Sequence, residues 1–197
     1  MTQDVTIFRN IKETQTAYHV DINVVLDRIK NGATKDLVKL IRAEKNKNER
    51  NELKKGLPAI CFSGIFNKRN DSSLVSHSGI VCLDFDGYEK KKDLLTHKEQ
   101  LTNDPHVYSV FNSPSGNGLK VLVKIPADPD NHVNYFNALE KHFDSPNFDK
   151  ACKNISRVCY ESFDPLIFIN ENSSLWDKID EPEYKELVAR RDPPSIP

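Results

Sequence analysis

Two aspartates stand at the end of an apolar run, Ile80-Val81-Cys82-Leu83-Asp84-Phe85-Asp86. The run is too short for a helix and rich in β-branched residues, so it reads as a buried strand. Alternate side chains of a strand share a face. Both carboxylates then project the same way, a few ångströms apart, with Phe85 on the other side. Two ionised carboxylates at that spacing repel unless a divalent cation neutralises them, and oxygen-only ligands favour Mg2+ or Mn2+. The bland alternative is a solvated strand end before a turn at Gly87.

Two further segments carry chemistry. Ser113-Pro114-Ser115-Gly116-Asn117-Gly118-Leu119-Lys120 joins two strand-like runs through a glycine-bearing turn that ends in a lysine. Such a turn exposes backbone N–H groups, and with Lys120 beside it the loop can hold triphosphate oxygens. Ser113, Ser115, Gly116, Gly118 and Lys120 are therefore candidate nucleotide-binding residues. Asn-Gly is also an ordinary hairpin device, so the glycines alone decide nothing. Downstream, Asp149 offers a third carboxylate. Arg157, expected on the next strand, offers a guanidinium for phosphate or base. Asp164 competes for the third-acid role, although its Asp-Pro context reads as a turn. Lys68 and Arg69, in the polar loop before the acidic strand, are candidate nucleic-acid contacts that a solvated loop explains equally well.

The order of Leu83-Asp84-Phe85-Asp86, then Ser113 to Lys120, then Phe148-Asp149 followed by Ser156-Arg157-Val158-Cys159-Tyr160, resembles the three motifs of the archaeo-eukaryotic primase superfamily. Within it, the order resembles the VirE-type N-terminal prim-pol branch. The resemblance runs from about Leu57 to Asn170. It implies an α+β fold in which a mixed sheet, with a core like an RNA-recognition motif, packs on an N-terminal αβ module. It also implies template-directed nucleotidyl transfer to a 3′-hydroxyl in DNA replication or repair. Asp84, Asp86 and Asp149 would be the metal-binding catalytic acids, served by Mg2+ or Mn2+, with Lys120 and Arg157 on the triphosphate. The partners implied are a DNA template and primer, nucleoside triphosphates, and a helicase domain in cis or in trans. Much of the superfamily carries histidine where this chain has Lys120; lysine neutralises phosphate but does not act as a neutral imidazole does.

Two rival readings belong to other classes. A strand ending in Asp84-Phe85-Asp86-Gly87 also looks like the first motif of haloacid-dehalogenase-type phosphatases, which need a further acidic cluster that this chain supplies only as single acids. A prim-pol-like domain that binds nucleotide or nucleic acid without turnover is the non-enzymatic alternative.

The elements that must position these residues follow from periodicity. Ile22, Val25, Leu26 and Ile29 recur at helical spacing over 20–31, stopped by Gly32. Thr34 is placed to cap a second helix, with Leu37, Leu40 and Ile41 as its buried stripe to about Lys45. Leu57–Phe66 and Ser78–Asp86 read as buried strands. A polar helix follows over about 91–101, and Val107–Ser113 is a strand. Leu119–Ile125 is a strand in which Lys120, Leu122 and Lys124 face out. Asp128-Pro129 opens a helix carrying Val133, Phe136, Leu139 and Phe143, and two short strands close the chain at Arg157–Ser162 and Leu166–Asn170. The domain is expected over 1–179, and 180–197, rich in charge and proline, reads as a helix and linker toward a further domain.

Composition bounds the class. Hydrophobic residues make up 38% and charged residues 29% of 197, enough for one core under a well-solvated surface. The net charge of −1 does not announce a nucleic-acid binder, though Lys and Arg concentrate between Thr34 and Lys55 and after Asp86. No run approaches the ~20 apolar residues of a membrane span, and no signal-peptide pattern opens the chain, so a cytoplasmic location without a membrane partner is expected. Cys61 and Cys82 sit in apolar runs. His142, Cys152 and Cys159 match no zinc-ligand spacing and read as packing residues.

Overall fold

The structure, a computed structural model, describes residues 3–180. The expected helix and linker of the C-terminal tail therefore lie outside the described residues, apart from Asp180.

The N-terminal module begins with β1 (Asp4–Phe8) and β2 (Ala17–Asp21), an antiparallel pair. Asp21 ends β2 and caps α1 (Ile22–Asn31), its carboxylate accepting from Asn23 N at 2.8 Å. The stripe read from the sequence, Ile22, Val25, Leu26 and Ile29, is buried, and Gly32 ends the helix in the left-handed conformation that a glycine adopts without strain (φ +84°).

In α2 (Lys35–Ala43) the stripe is shifted. Val38 and Ile41 are buried, whereas Leu40 is 59% exposed and Thr34 makes no capping side-chain hydrogen bond. The cause is the next element, α3 (Lys47–Lys54), which brings Leu53 and Leu57 against Val38 and Ile41. It buries no residue fully, so hydrophobic periodicity did not announce it. Its signature is the cap: Asn46 accepts from Asn48 N and Glu49 N.

The expected single strand over Leu57–Phe66 is two, β3 (Ala59–Cys61) and β4 (Gly64–Phe66), the latter paired with β5 (Leu74–His77). Thr6 on β1 holds the break, donating to Gly64 O at 2.9 Å and accepting from Phe66 N at 2.9 Å.

The second module carries the acidic strand. It comprises β6 (Ile80–Phe85), α4 (Lys91–Thr102), β7 (Val107–Asn112), β8 (Leu119–Lys124) and α5 (His132–Phe143). Of the closing strands, β9 (Cys159–Tyr160) joins the first sheet, in the order β2-β1-β3-β9, and β10 (Phe168–Ile169) joins the second, in the order β10-β7-β8-β6. The α+β class holds, but the strands that the sequence assigned to one mixed sheet divide between these two, and every ladder among the described residues is antiparallel. Because β8 opposes both β6 and β7, those two run parallel, and α4 crosses between them as a split β-α-β unit.

Both faces of the second sheet are covered. Val81, Leu83, Phe85, Leu119, Val121 and Val123 pack under α4 and α5, while Ile80, Leu122 and Phe111 pack on α1 and the first sheet. Leu122 is therefore fully buried, correcting its expected exposure beside Lys120 and Lys124. On α5, Tyr135, Phe136 and Leu139 are buried and Val133 is 38% exposed; the helix starts at His132, because Asp128 is spent on a turn with Asp130 N and Asn131 N.

Candidate active site

Asp84 lies on the face of β6 that looks toward the first sheet, which is why a strand-end acid is only 9% exposed. Directly opposite in register on β8 stands Lys120, whose ammonium pairs with Asp84 Oδ2. The third acid arrives through the backbone. Phe148 bridges Phe85, Asp86 N donates to Asn147 O at 2.8 Å, and Asp149 N donates to Asp84 O at 2.8 Å. Residues 147–149 are thereby stitched onto the edge of β6, and Asp149 comes beside Asp84.

Asp149 opens a 3-10 turn over Lys150–Cys152, its Oδ1 accepting from Ala151 N at 3.0 Å and its Oδ2 from Cys152 Sγ at 3.1 Å. Asp84, Asp149 and Cys152 each bring a ligand atom within 4.8 Å of the others. Asp84 Oδ1 is buried with no hydrogen-bond partner. A buried carboxylate oxygen left bare is costly unless a cation satisfies it. These residues thus fit a small divalent ion.

The electrostatics agree. Burial raises the Asp84 carboxyl above its ordinary range; the Lys120 ammonium opposes this without cancelling it, and Asp86 and Asp149 add repulsion. Burial is the largest single influence on the Lys120 ammonium and works against it, but the charges of Asp84, Cys159 and Asp86 and the hydrogen bond to Asp84 together outweigh it and raise its pKa. For Asp149, burial is outweighed by the Cys152 thiol, the Ala151 N–H and the charges of Arg157 and Lys120, so its carboxyl sits low. Burial, then the Asp149 acceptor, pushes the Cys152 thiol up to about 12.

Asp86 is exposed beyond the end of β6 and stands outside the 4.8 Å group. It lies over Gly118: a Cβ there would collide with Asp86 Oδ1 and Phe85 O. No side chain fits at Gly118 beside that acid. The turn closes through Ser113 N to Gly118 O at 2.8 Å and Gly116 N to Ser113 O at 2.9 Å, and the Ser113 hydroxyl is buried without a partner.

Arg42 of α2 clamps this turn from outside, donating to Ser113 O at 3.2 Å, Pro114 O at 3.3 Å and Phe163 O at 2.8 Å. With Ser115, Gly116 and Asn112 it lines a cavity of about 510 Å³ toward α4. Lys54 of α3 is close enough for Asp86, Asp84 and Lys120 all to act on its charge, though burial is what lowers its pKa most.

The remaining sequence candidates lie apart from the acids or at their rim. Asp164 has its own work, 3% exposed and accepting from Lys98 Nζ and Asn112 N, each at 2.8 Å, and from Leu166 N at 3.0 Å. Arg157 precedes β9 instead of lying on it, and its guanidinium donates to Ala151 O at 2.5 Å, at the back of the Asp149 turn. It shares a polar cavity of about 350 Å³ with Arg69, Asn154 and Ser156. Lys68 is exposed beside them.

Sequence reasoning missed Cys152, Arg42 and Lys54. The Asp149-Lys150-Ala151-Cys152 spacing, one turn with an aspartate at its head, was the available signal for Cys152. Arg42 and Lys54 lie in the basic run between Thr34 and Lys55, where nothing in the spacing sets them apart from the other Lys and Arg. The loose grouping of His142, Cys152 and Cys159 does not form: His142 pairs with Asp104 at 2.6 Å, and Cys159 is buried between the sheets.

Among solved structures, the chain is similar to the AEP domain of the cyanophage S-2L primase-polymerase (PrimPol), at 15% identity and a TM-score of 0.45, covering 89% of this chain and 84% of that one. At that level neither activity nor site residues carry over. No curated protein matches the chain. A family model described as BT4734-like, N-terminal domain, matches residues 52–168, more than half of the chain and the span that holds Asp84, Asp86, the 113–118 turn, Lys120, Asp149, Cys152 and Arg157. The chain belongs to the BT4734-like N-terminal-domain family.

Proposed function

We propose that this domain is a primase-polymerase that transfers a nucleotide to the 3′-hydroxyl of a primer on a DNA template, in replication or repair. One observation carries the reading: a buried Asp84 oxygen without a partner, on a carboxylate grouped with that of Asp149, with a lysine fixed across the strand. Asp84 and Asp149 would hold the divalent ion, and Asp86, exposed at the rim, would complete the set where substrate enters. When bound, the ion neutralises phosphate charge and lowers the pKa of the attacking hydroxyl.

The 3′ oxygen forms a bond to the α-phosphorus while the bond from that phosphorus to the bridging oxygen breaks, releasing pyrophosphate, and the hydroxyl proton passes to water. Lys120 is positioned to exchange its Asp84 partner for a triphosphate oxygen once a cation replaces it. Ser113, Ser115 and Gly116 would border the same triphosphate, with Arg157, Lys68 and Arg69 at the approach of nucleotide and template. A helicase domain joined in cis or acting in trans is part of the proposal.

The Lys120–Asp84 pair also favours a second reading. If Lys120 stays on Asp84, the acids never take up a cation and the domain binds nucleotide or nucleic acid without turnover. The phosphatase alternative still lacks its further acidic cluster: among the described residues, the one group of three potential ligands adds a single acid, Asp149, to Asp84. Calorimetry with a nucleoside triphosphate, with and without Mn2+, separates the first two. The polymerase reading expects binding that requires Mn2+ and is lost in Asp84→Asn. Metal-independent binding unaffected by Asp84→Asn supports the non-catalytic one.

A further inference from the structure

We propose that Cys152 is a ligand of the ion held by Asp84 and Asp149, and that the site therefore prefers a thiophilic divalent cation to Mg2+. The inference rests on the proposed function in so far as Asp84 and Asp149 bind a metal at all.

The sulfur is already in place. The 3-10 turn folds Cys152 back so that Sγ lies 3.1 Å from Asp149 Oδ2, and it falls with Asp84 inside the 4.8 Å group. Metal–oxygen and metal–sulfur bonds of roughly 2.0–2.3 Å put neighbouring ligand atoms about 3–4 Å apart, so a small contraction of this group encloses an ion. The group has a second mark of a cation site: Asp84, whose side chain is 13% exposed, is paired with Lys120 through one oxygen and keeps the other buried with no partner. The three potential ligand atoms that lie together are two carboxylate oxygens and a sulfur, with Asp86 further out at the rim. Oxygen donors only would favour Mg2+, which demands near-octahedral oxygen coordination. Replacing one oxygen with sulfur shifts preference toward Co2+, Zn2+ and Cd2+. A packing role for Cys152, whose side chain also touches the core under α5, predicts no such preference.

The test uses the full chain, its Cys152→Ser variant and Asp84→Asn, each checked for folding by circular dichroism. Co2+ is titrated while the near-ultraviolet thiolate-to-cobalt band is recorded, and Cd2+ and Mg2+ affinities are measured by calorimetry. The other three cysteines remain in every protein and serve as internal controls. The proposal expects a thiolate band in the wild type that Cys152→Ser abolishes, and a Cd2+ affinity that falls roughly 10- to 100-fold in that variant with Mg2+ affinity unchanged. No band, or equal Cd2+ affinity in the wild type and Cys152→Ser while Asp84→Asn still loses metal, overturns the sulfur ligand and leaves the acid site standing. Metal binding that is absent, or indifferent to Asp84→Asn, overturns both.

Discussion

Lys120 and Asp84 face each other in register across β8 and β6, and the ammonium occupies one carboxylate oxygen while the other is buried and bare. The pair is a cation site half filled by the protein's own cation. Lys120→Met should therefore raise the apparent nucleotide KM by roughly tenfold or more, because the triphosphate loses a desolvated positive charge. Steady-state kinetics on the folded variant decides it. An unchanged KM makes Lys120 a purely structural partner of Asp84.

Asp149 and Asp164 should separate by phenotype. Asp149→Asn removes a carboxylate from the ligand group and should abolish metal-dependent incorporation with little change in Tm. Asp164→Ala leaves the Lys98 charge with only Leu166 O and no counter-ion, leaves the Asn112 N–H unpaired, and should cost about 3 kcal/mol, with activity per folded molecule retained. Urea unfolding and primer extension on both variants measure this, and the opposite pattern would transfer the third-acid role to Asp164.

Gly118→Ala places a methyl where Asp86 Oδ1 and Phe85 O already sit. Asp86 must move, so incorporation should fall by at least tenfold at a stability cost of roughly 1–3 kcal/mol. Gly116→Ala tests a different cause, since φ +77° strains any side chain while the space is open to Arg42 alone. It should cost about 1 kcal/mol and spare Asp86. Equal activity of Gly118→Ala and the wild type would show that Asp86 has no fixed position to lose.

Acid sensitivity should come from elsewhere in the fold. His77 Nε2 and His132 Nδ1 lie 3.0 Å apart, and burial lowers both from 6.5 to about 4, against the pull of Asp128 on His77 and Asp71 on His132. Below about pH 6.5 the unfolded chain binds protons that the fold refuses until about pH 4. Stability is therefore full above the first value, falls through the window, and has lost the whole contribution below the second. His132, 2% exposed, accounts for about 3 kcal/mol of that loss. Urea midpoints measured from pH 7 to 4.5 should decline, and His132→Phe should flatten the slope. A flat wild-type profile contradicts the buried neutral pair.

The sequence exposed the parts of the fold whose burial is periodic or continuous. The α1 stripe at Ile22, Val25, Leu26 and Ile29 and the run ending in Asp84 are dictated by what they pack against, so spacing alone revealed them. α3 has no buried stripe, and only the Asn46 cap marked it. β3 and β4 merged in the reading because their break depends on Thr6, far away in the chain. At the site, Asp84 and Lys120 were legible as motif residues, but their pairing is a matter of strand register. The approach of Asp149 depends on Phe148 bridging Phe85, and the inclusion of Cys152 on a single 3-10 turn. The displacement of Asp86 from the ligand group reflects where β6 ends, which alternation along a strand does not specify.

The most direct test of the central claim is primer extension on a DNA template with Mn2+ and nucleoside triphosphates, comparing the wild type with Asp84→Asn. The variant keeps the volume of the side chain and removes the charge that calls for a cation. The account predicts incorporation by the wild type and a loss of at least a thousandfold in the variant, with its circular dichroism spectrum unchanged, in line with removal of a group on which the transition state depends. Undiminished extension by folded Asp84→Asn, or none by the wild type under any divalent ion, would contradict it.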